Sequence, residues 1–179
     1  MYFEILPESA HELVDIRPIE MSDLEDWYAY LSMPMVFEHT SWAVKSPSEL
    51  EPFVWNPETI TSSSLLRLAI VLRSSRKLVG TIGFHTVTPQ NKSAEIAYDL
   101  SPDVWGRGIA TYLCGHLVSW AHTHVGLVRV QATALETNAR SDRVLRKCGF
   151  EHEGLLRSYR MVRGKSGNFH MYSHVTSES

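Results

Sequence analysis

A strand-like run that stops in a glycine-rich turn and reopens as a helix constrains this chain more than any other stretch. The run is Ser93-Ala94-Glu95-Ile96-Ala97-Tyr98-Asp99-Leu100. The turn is Asp103-Val104-Trp105-Gly106-Arg107-Gly108-Ile109-Ala110-Thr111, and the helix it opens carries Tyr112, Leu113, Leu117 and Trp120. The first N–H groups of a helix have no internal partner, and the macrodipole favours negative charge at that end. Gly106 and Gly108 remove the Cβ atoms that would block a close approach, and they permit positive φ. A phosphate or pyrophosphate is therefore expected on Val104, Trp105, Gly106, Arg107, Gly108, Ile109, Ala110 and Thr111.

Spacing narrows the choice of anion. A P-loop requires G-x-x-x-x-G-K-[ST], and no lysine follows these glycines. A dinucleotide fingerprint requires a third glycine, where Thr111 stands, and an acid about 20 residues on, where Gly126 to Val130 offers none. Taken alone, the Gly-x-Gly pair fits a helix-capping loop equally well.

A second block adds context. Asn138-Ala139-Arg140-Ser141-Asp142-Arg143-Val144-Leu145-Arg146-Lys147-Cys148-Gly149-Phe150 reads as a helix with Asn138 as N-cap and Gly149 as stop. Leu127 to Ala134 before it reads as a strand. Together the two blocks resemble the GCN5-related N-acetyltransferase (GNAT) superfamily. Its Q/R-x-x-G-x-G/A motif corresponds here to Trp105, Gly106, Arg107, Gly108, Ile109 and Ala110, with Trp at the first position. That departure, and Gly149-Phe150-Glu151-His152-Glu153-Gly154-Leu155-Leu156-Arg157 with Tyr172 in the final strand, resemble the RimJ/RimL-like ribosomal-protein branch. An aspartate often seen early in that strand is Asn168 here.

The resemblance implies an α/β (α+β) fold. A mixed, mostly antiparallel central sheet carries helices on both faces and a V-shaped gap for acetyl-CoA. It implies an acetyl-CoA-dependent N-acetyltransferase that acts on a primary amine, either a protein N-terminal α-amine or a small amine. The pantetheine arm would pair with the strand edge at Tyr98 to Leu100, and Asn138 would contact it. Glu95, on the face it shares with Ala97 and Asp99, is the first candidate for general base; His85 and Asp99 come second. A solvated or salt-bridged carboxylate is the plainer reading of Glu95. Many family members carry a Tyr seven residues after the helix Asn, where this chain has Leu145. Ser141 and then Tyr172 are the substitutes as proton donor; a surface hydroxyl and a core aromatic are their plainer readings. Arg140, Arg143 and Lys147 fall on one helical face that could meet the 3′-phosphate, as could Arg107. The missing Tyr and Asn168 keep a second reading open, a non-catalytic acyl-CoA-binding or protein-interaction module.

Composition sets bounds. The 179 residues are expected to form one domain, residues 1–179, and a net charge of −3 argues against a nucleic-acid partner. No basic, apolar leader or run of about 18 apolar residues is present, so no membrane partner and a cytoplasmic location are expected. Cys114 and Cys148 are expected to be buried and reduced. No histidine pair has metal-site spacing, so no metal is expected. The chain is expected to be a monomer or homodimer.

The predicted order is β-α-α-β-β-β-α-β-α-β-β. Strands run from Leu13 to Ile19, Leu65 to Leu72, Lys77 to Thr86, Ser93 to Leu100 and Leu127 to Ala134, with two more at the end. Helices run from Met21 to Leu31, from Ser46 to Pro57, from Gly108 to His122 and from Ala139 to Lys147, with Pro34 closing the first. Trp27, Tyr28, Phe37, Trp42 and Trp55 crowd the N-terminal helical region, where the resembled branch forms its acceptor groove.

Overall fold

The structure is a computed structural model, and it describes residues 6–9, 11–41, 44–54, 56 and 66–176. The expectations for Trp42, Trp55, Pro57 and Leu65 lie outside those residues. Seven strands form one sheet in the order β1-β2-β3-β4-β5-β7-β6. They are β1 (Val14–Pro18), β2 (Leu66–Leu72), β3 (Leu78–Thr88), β4 (Ser93–Leu100), β5 (Arg129–Leu135), β6 (Glu151–Val162) and β7 (Lys165–Val175). The helices are α1 (Leu24–Leu31), α2 (Pro34–Phe37), α3 (Ile109–Trp120) and α4 (Ala139–Lys147). Every neighbouring pair of strands is antiparallel except β4 and β5.

Alternation decides what each face of the sheet carries. Leu68, Ile82 and Ile96 pack with Leu113 and Leu117 of α3 and Leu145 of α4. Ala69, Val71 and Leu78 pack on the other face with Trp27, Leu31 and Leu50. Leu113 and Leu117 are fully buried, and each contributes about 1.5–3 kcal/mol by leaving water. Trp105 touches both cores, so the turn before α3 joins the two layers.

Three local expectations change. Pro34 does not merely follow the first helix; it opens α2 at the first helical position, where its missing N–H costs nothing. The expected helix from Ser46 is a 3-10 helix, Pro47–Phe53, with Pro52 inside it to break the α-helical ladder. The helix over the glycine turn runs on past Trp120 as a π-helical turn, Ala121–Val125, which Gly126 ends at φ 73°. Among the described residues, no helix is long and apolar enough to cross a membrane.

Candidate active site

The parallel pair opens the molecule. β4 and β5 are in register only from Ser93/Arg129 to Glu95/Gln131. Beyond that point β4 continues to Leu100 beside β3, while β5 continues to Leu135 beside β7. The two strands part, and the edge of β4 from Ile96 to Leu100 faces a cleft of about 870 Å³. The start of α3 and the cleft side of α4 line one end of it. Residues of and after α2 line the other, with Arg160 and Phe169.

One end is built from backbone. Gly106 and Gly108 both sit at φ 77°, and a Cβ added at either would point into open space. Gly108 is the N-cap of α3, so the first turn of that helix presents its amides toward the cleft where Ile109, Ala110 and Thr111 line it. Trp105 Nε1 donates to the Leu100 carbonyl at 2.9 Å, which fixes the turn on the end of β4. Asn138 Oδ1 accepts from the Ser141 amide at 3.1 Å and caps α4. The Arg140 guanidinium lies 4.0 Å over the Trp105 ring, and Arg143 and Lys147 line the same rim. Tyr98, Leu100, Val104, Asn138 and Ser141 also line the cleft; the exposed Arg107 does not. Burial, with Cys114 nearby, pushes the Tyr98 hydroxyl well above its ordinary range, and Ser141 acts against that rise. These features fit a long ligand that pairs with a strand edge and carries anionic groups near the glycines.

The other end is built from side chains. Glu95, Ala97 and Asp99 share the face of β4 turned away from α3. Glu95 is 3% exposed. It accepts from Thr133 Oγ1 at 2.6 Å and Arg160 Nη2 at 3.1 Å, with Gln131 Nε2 at 3.4 Å. His85 stands opposite it on β3, with Nε2 3.6 Å from Glu95 Oε1. Burial lowers the His85 imidazole below its usual range; Glu95 opposes this, and Arg160 and Arg67 add to it. Asp99 is held the same way. It accepts from Tyr30 Oη, from Arg67 Nη2 and, at 2.8 Å, from Thr81 Oγ1. Burial and the neighbouring Asp99 raise the Tyr30 hydroxyl well above its ordinary range.

One assignment changes on this geometry. Tyr172 lies outside the cleft: its ring is 1% exposed in the core, and its hydroxyl donates to Asp142 Oδ1 at 2.5 Å. Burial, with Asp142 beside it, pushes that hydroxyl up to about 12, which suits a structural hydrogen bond better than proton donation. Asn168 is structural as well, since its Oδ1 accepts from the Ser158 amide at 2.9 Å and its Nδ2 donates to Glu136. Of the aromatic group, Trp27 is buried against Phe53, and the Tyr28 hydroxyl donates to the Lys45 carbonyl at 3.1 Å. Cys114 and Cys148 are both free thiols, but only Cys114 is buried as expected; Cys148 is half-buried. Among the described residues, no three His, Cys, Asp or Glu side chains form a metal-sized group.

Five members of the side-chain end were missed from sequence: Tyr30, Arg67, Thr81, Thr133 and Arg160. Arg67 left a trace, since it is the lone charge in Leu66-Arg67-Leu68-Ala69-Ile70-Val71. Arg160 left none, because its contact with Glu95 joins residues 65 positions apart.

The sequence profile of the family described as "Acetyltransferase (GNAT) domain" matches residues 14–151. The chain belongs to the GNAT acetyltransferase family. The GNAT chain is 36% identical over 110 residues to the uncharacterized N-acetyltransferase YoaA of Bacillus subtilis (strain 168), covering 62% of each protein. That match thus spans about three-fifths of the curated relative's length. In fold it is similar to RimL, a ribosomal L7/L12 alpha-N-protein acetyltransferase solved with coenzyme A, at TM-score 0.82 and 19% identity over 95% of this chain and 98% of that one. It is also similar to the spermidine N-acetyltransferase of Vibrio cholerae, solved with CoA and spermine, at TM-score 0.78 and 18% identity over 92% and 96%.

Proposed function

We propose that the protein is an acetyl-CoA-dependent N-acetyltransferase whose acceptor is an α-amine, such as a peptide N-terminus. The opened edge of β4, the glycine cradle and the cationic rim would hold acetyl-CoA through Tyr98, Leu100, residues 104–111, Asn138 and Ser141. Bound there, the cofactor supplies the thioester. The chain's task would be to keep the amine neutral and close, and a free backbone N–H of the β4 edge near Leu100 would serve as donor to the thioester oxygen.

The state of the two acceptor-end carboxylates carries the choice of amine. Glu95 is paired with Arg160 and Asp99 with Arg67. Each already accepts two or more hydrogen bonds, so neither offers an unneutralised charge to a polycation. Burial shifts the His85 imidazole down, which favours its neutral form. Such a site is a weak base. An α-amine near 7.7–8.0 is partly neutral at pH 7 and needs only a weak base, whereas a lysine or polyamine nitrogen near 10.4 needs a strong one. In this reading the amine proton passes to Glu95, directly or by way of His85 or a water. Ser141, which lines the cleft from the first turn of α4, would be the proton donor to the departing thiolate.

The test is release of CoA thiol with a panel of acceptors at pH 7.5: N-terminal alanine and serine peptides, free amino acids, Nα-acetyl-lysine and spermidine. The α-amine peptides should exceed spermidine and Nα-acetyl-lysine by at least about tenfold in kcat/KM, as ground-state protonation alone would favour. Spermidine as the best acceptor would overturn the choice of amine. No turnover with any amine would favour the non-catalytic reading.

A further inference from the structure

One side chain ties two walls of the cleft together. β6 and β7 are joined at Arg163-Gly164, whose φ values are 49° and 78°. Two successive positive φ values between antiparallel strands make a primed turn, which favours Asn or Gly at its first position. Arginine at that first position carries backbone strain that Gly or Asn would not. The side chain supplies the reason. Arg163 Nη1 donates to the Phe37 carbonyl at 2.8 Å and the Thr40 carbonyl at 3.3 Å, and Nη2 donates to the Glu38 carbonyl at 2.9 Å. The guanidinium also lies 5.8 Å from the centre of the Phe37 ring.

The tied pieces both border the side-chain end of the cleft. Met35, His39 and Thr40 line it from one piece; Arg160, three residues before the clamp, lines it from the other and holds Glu95. We infer that Arg163 is a specificity-determining clamp. By pinning the segment after α2 to the hairpin tip, it bounds the entrance through which the acceptor amine reaches Glu95. A slender chain bearing a terminal amine passes the bound entrance, and an amine beside a bulky side chain does not. The inference rests on the acyl-transfer reading above. Arg163 touches no reacting atom and acts as a positioning residue.

Arg163→Gly removes the guanidinium but suits the turn, so relief of the positive φ offsets part of the lost hydrogen bonding and the variant should fold. Arg163→Lys keeps the charge, but one ammonium cannot fork to three carbonyls. The measurement is steady-state kinetics with acetyl-CoA and two peptides, Ala-Gly-Gly-Gly and Trp-Gly-Gly-Gly, alongside amide hydrogen exchange at residues 38–41. In Arg163→Gly the kcat/KM ratio of the Trp peptide to the Ala peptide should rise about tenfold, with the KM for acetyl-CoA within about twofold of the parent and exchange at 38–41 faster. Arg163→Lys should fall between. An unchanged ratio beside faster exchange would reduce Arg163 to a structural cap and overturn the clamp alone. An acetyl-CoA KM that rises with the ratio would also overturn it, because the effect would not be confined to the acceptor end. A parent that acetylates neither peptide overturns the α-amine reading, and this proposal with it.

Discussion

The two ends of the cleft are made of different material. The glycine end is contiguous in sequence, running from the end of β4 through the turn into α3, and it offers amides, an open strand edge and a dipole. The carboxylate end draws Tyr30, Arg67, Thr81, Glu95, Asp99, Thr133 and Arg160 from α1 and five strands, and its charges satisfy one another. A backbone site can serve any chain that supplies two glycines and a helix start. A side-chain site depends on every partner being in register. The first suits the constant component of a reaction, and the second suits the component that must be selected.

The sharpest separation of the two ends should come from Glu95→Gln. The amide keeps the shape of the carboxylate but not its basicity or its charge toward Arg160. Turnover with a peptide acceptor should fall about 10²–10⁴-fold. Acetyl-CoA affinity should stay put, and the defect should shrink between pH 7 and 9 as the acceptor deprotonates unaided. Equal loss of affinity and turnover would merge the two ends.

Gly108→Asp should do the reverse. It places a carboxylate at the N-cap of α3, where an anion is expected, so acetyl-CoA affinity by calorimetry should fall about 100-fold. Gly108→Asn is the control, because Asn tolerates the left-handed backbone at φ 77° without adding charge. If both variants bind alike, the cradle does not read charge.

Asp99→Asn tests the other material. Arg67 and Asp99 side chains are 14% and 8% exposed, so removing one charge strands the other. Urea unfolding should show a loss of about 3 kcal/mol, the usual cost of breaking a buried pair. A loss below 1 kcal/mol would mean water already reaches the pair, by the scale of exposed ion pairs of about 1 kcal/mol or less.

The same contrast governs what the sequence could reveal. The strand β4, the glycine turn and the Asn138 cap were legible because each is set by residues within a turn or two of one another, whereas the free edge of β4 was given by the family resemblance alone. The face that Glu95 shares with Ala97 and Asp99 was legible from alternation along β4, while the choice of Glu95 as base candidate came from the family resemblance. The clamp on Glu95 was not legible, because Arg160 reaches it only through the register of β6 on β7 and β7 on β5. Tyr172 misled for the same reason: alternation cannot say that its hydroxyl meets Asp142 on α4 and not the cleft. Pro34 was read as a stop, although the physics of a missing N–H serves a helix start equally well.

Two smaller effects should leave the chemistry alone. Tyr172→Phe should cost about 1 kcal/mol in unfolding free energy for the lost hydrogen bond and leave kcat unchanged. A large drop in kcat would return Tyr172 to the reaction. Glu153, bridged to Arg129 and Ser173 at the far end of β5, has its carboxyl pulled down to about 2. A depressed folded-state value contributes stability above the unfolded value, about 4.3, and that contribution is lost as pH falls toward the folded value. The melting temperature of the parent should therefore exceed that of Glu153→Gln at pH 6, by little because the carboxylate is 40% exposed, and the gap should close as pH falls from about 4 to 2. A gap that widens in acid would contradict the assignment.

Amide chemical shifts during a titration with acetyl-CoA test most directly whether the cleft has two separable ends. Saturable shifts should appear at Ile96–Leu100, at Gly106 and Gly108 and the first turn of α3, and at Asn138–Ser141. Tyr30, Thr81 and Arg163 should stay unmoved. Shifts centred on those three, with Gly106 and Gly108 silent at saturation, would contradict the account.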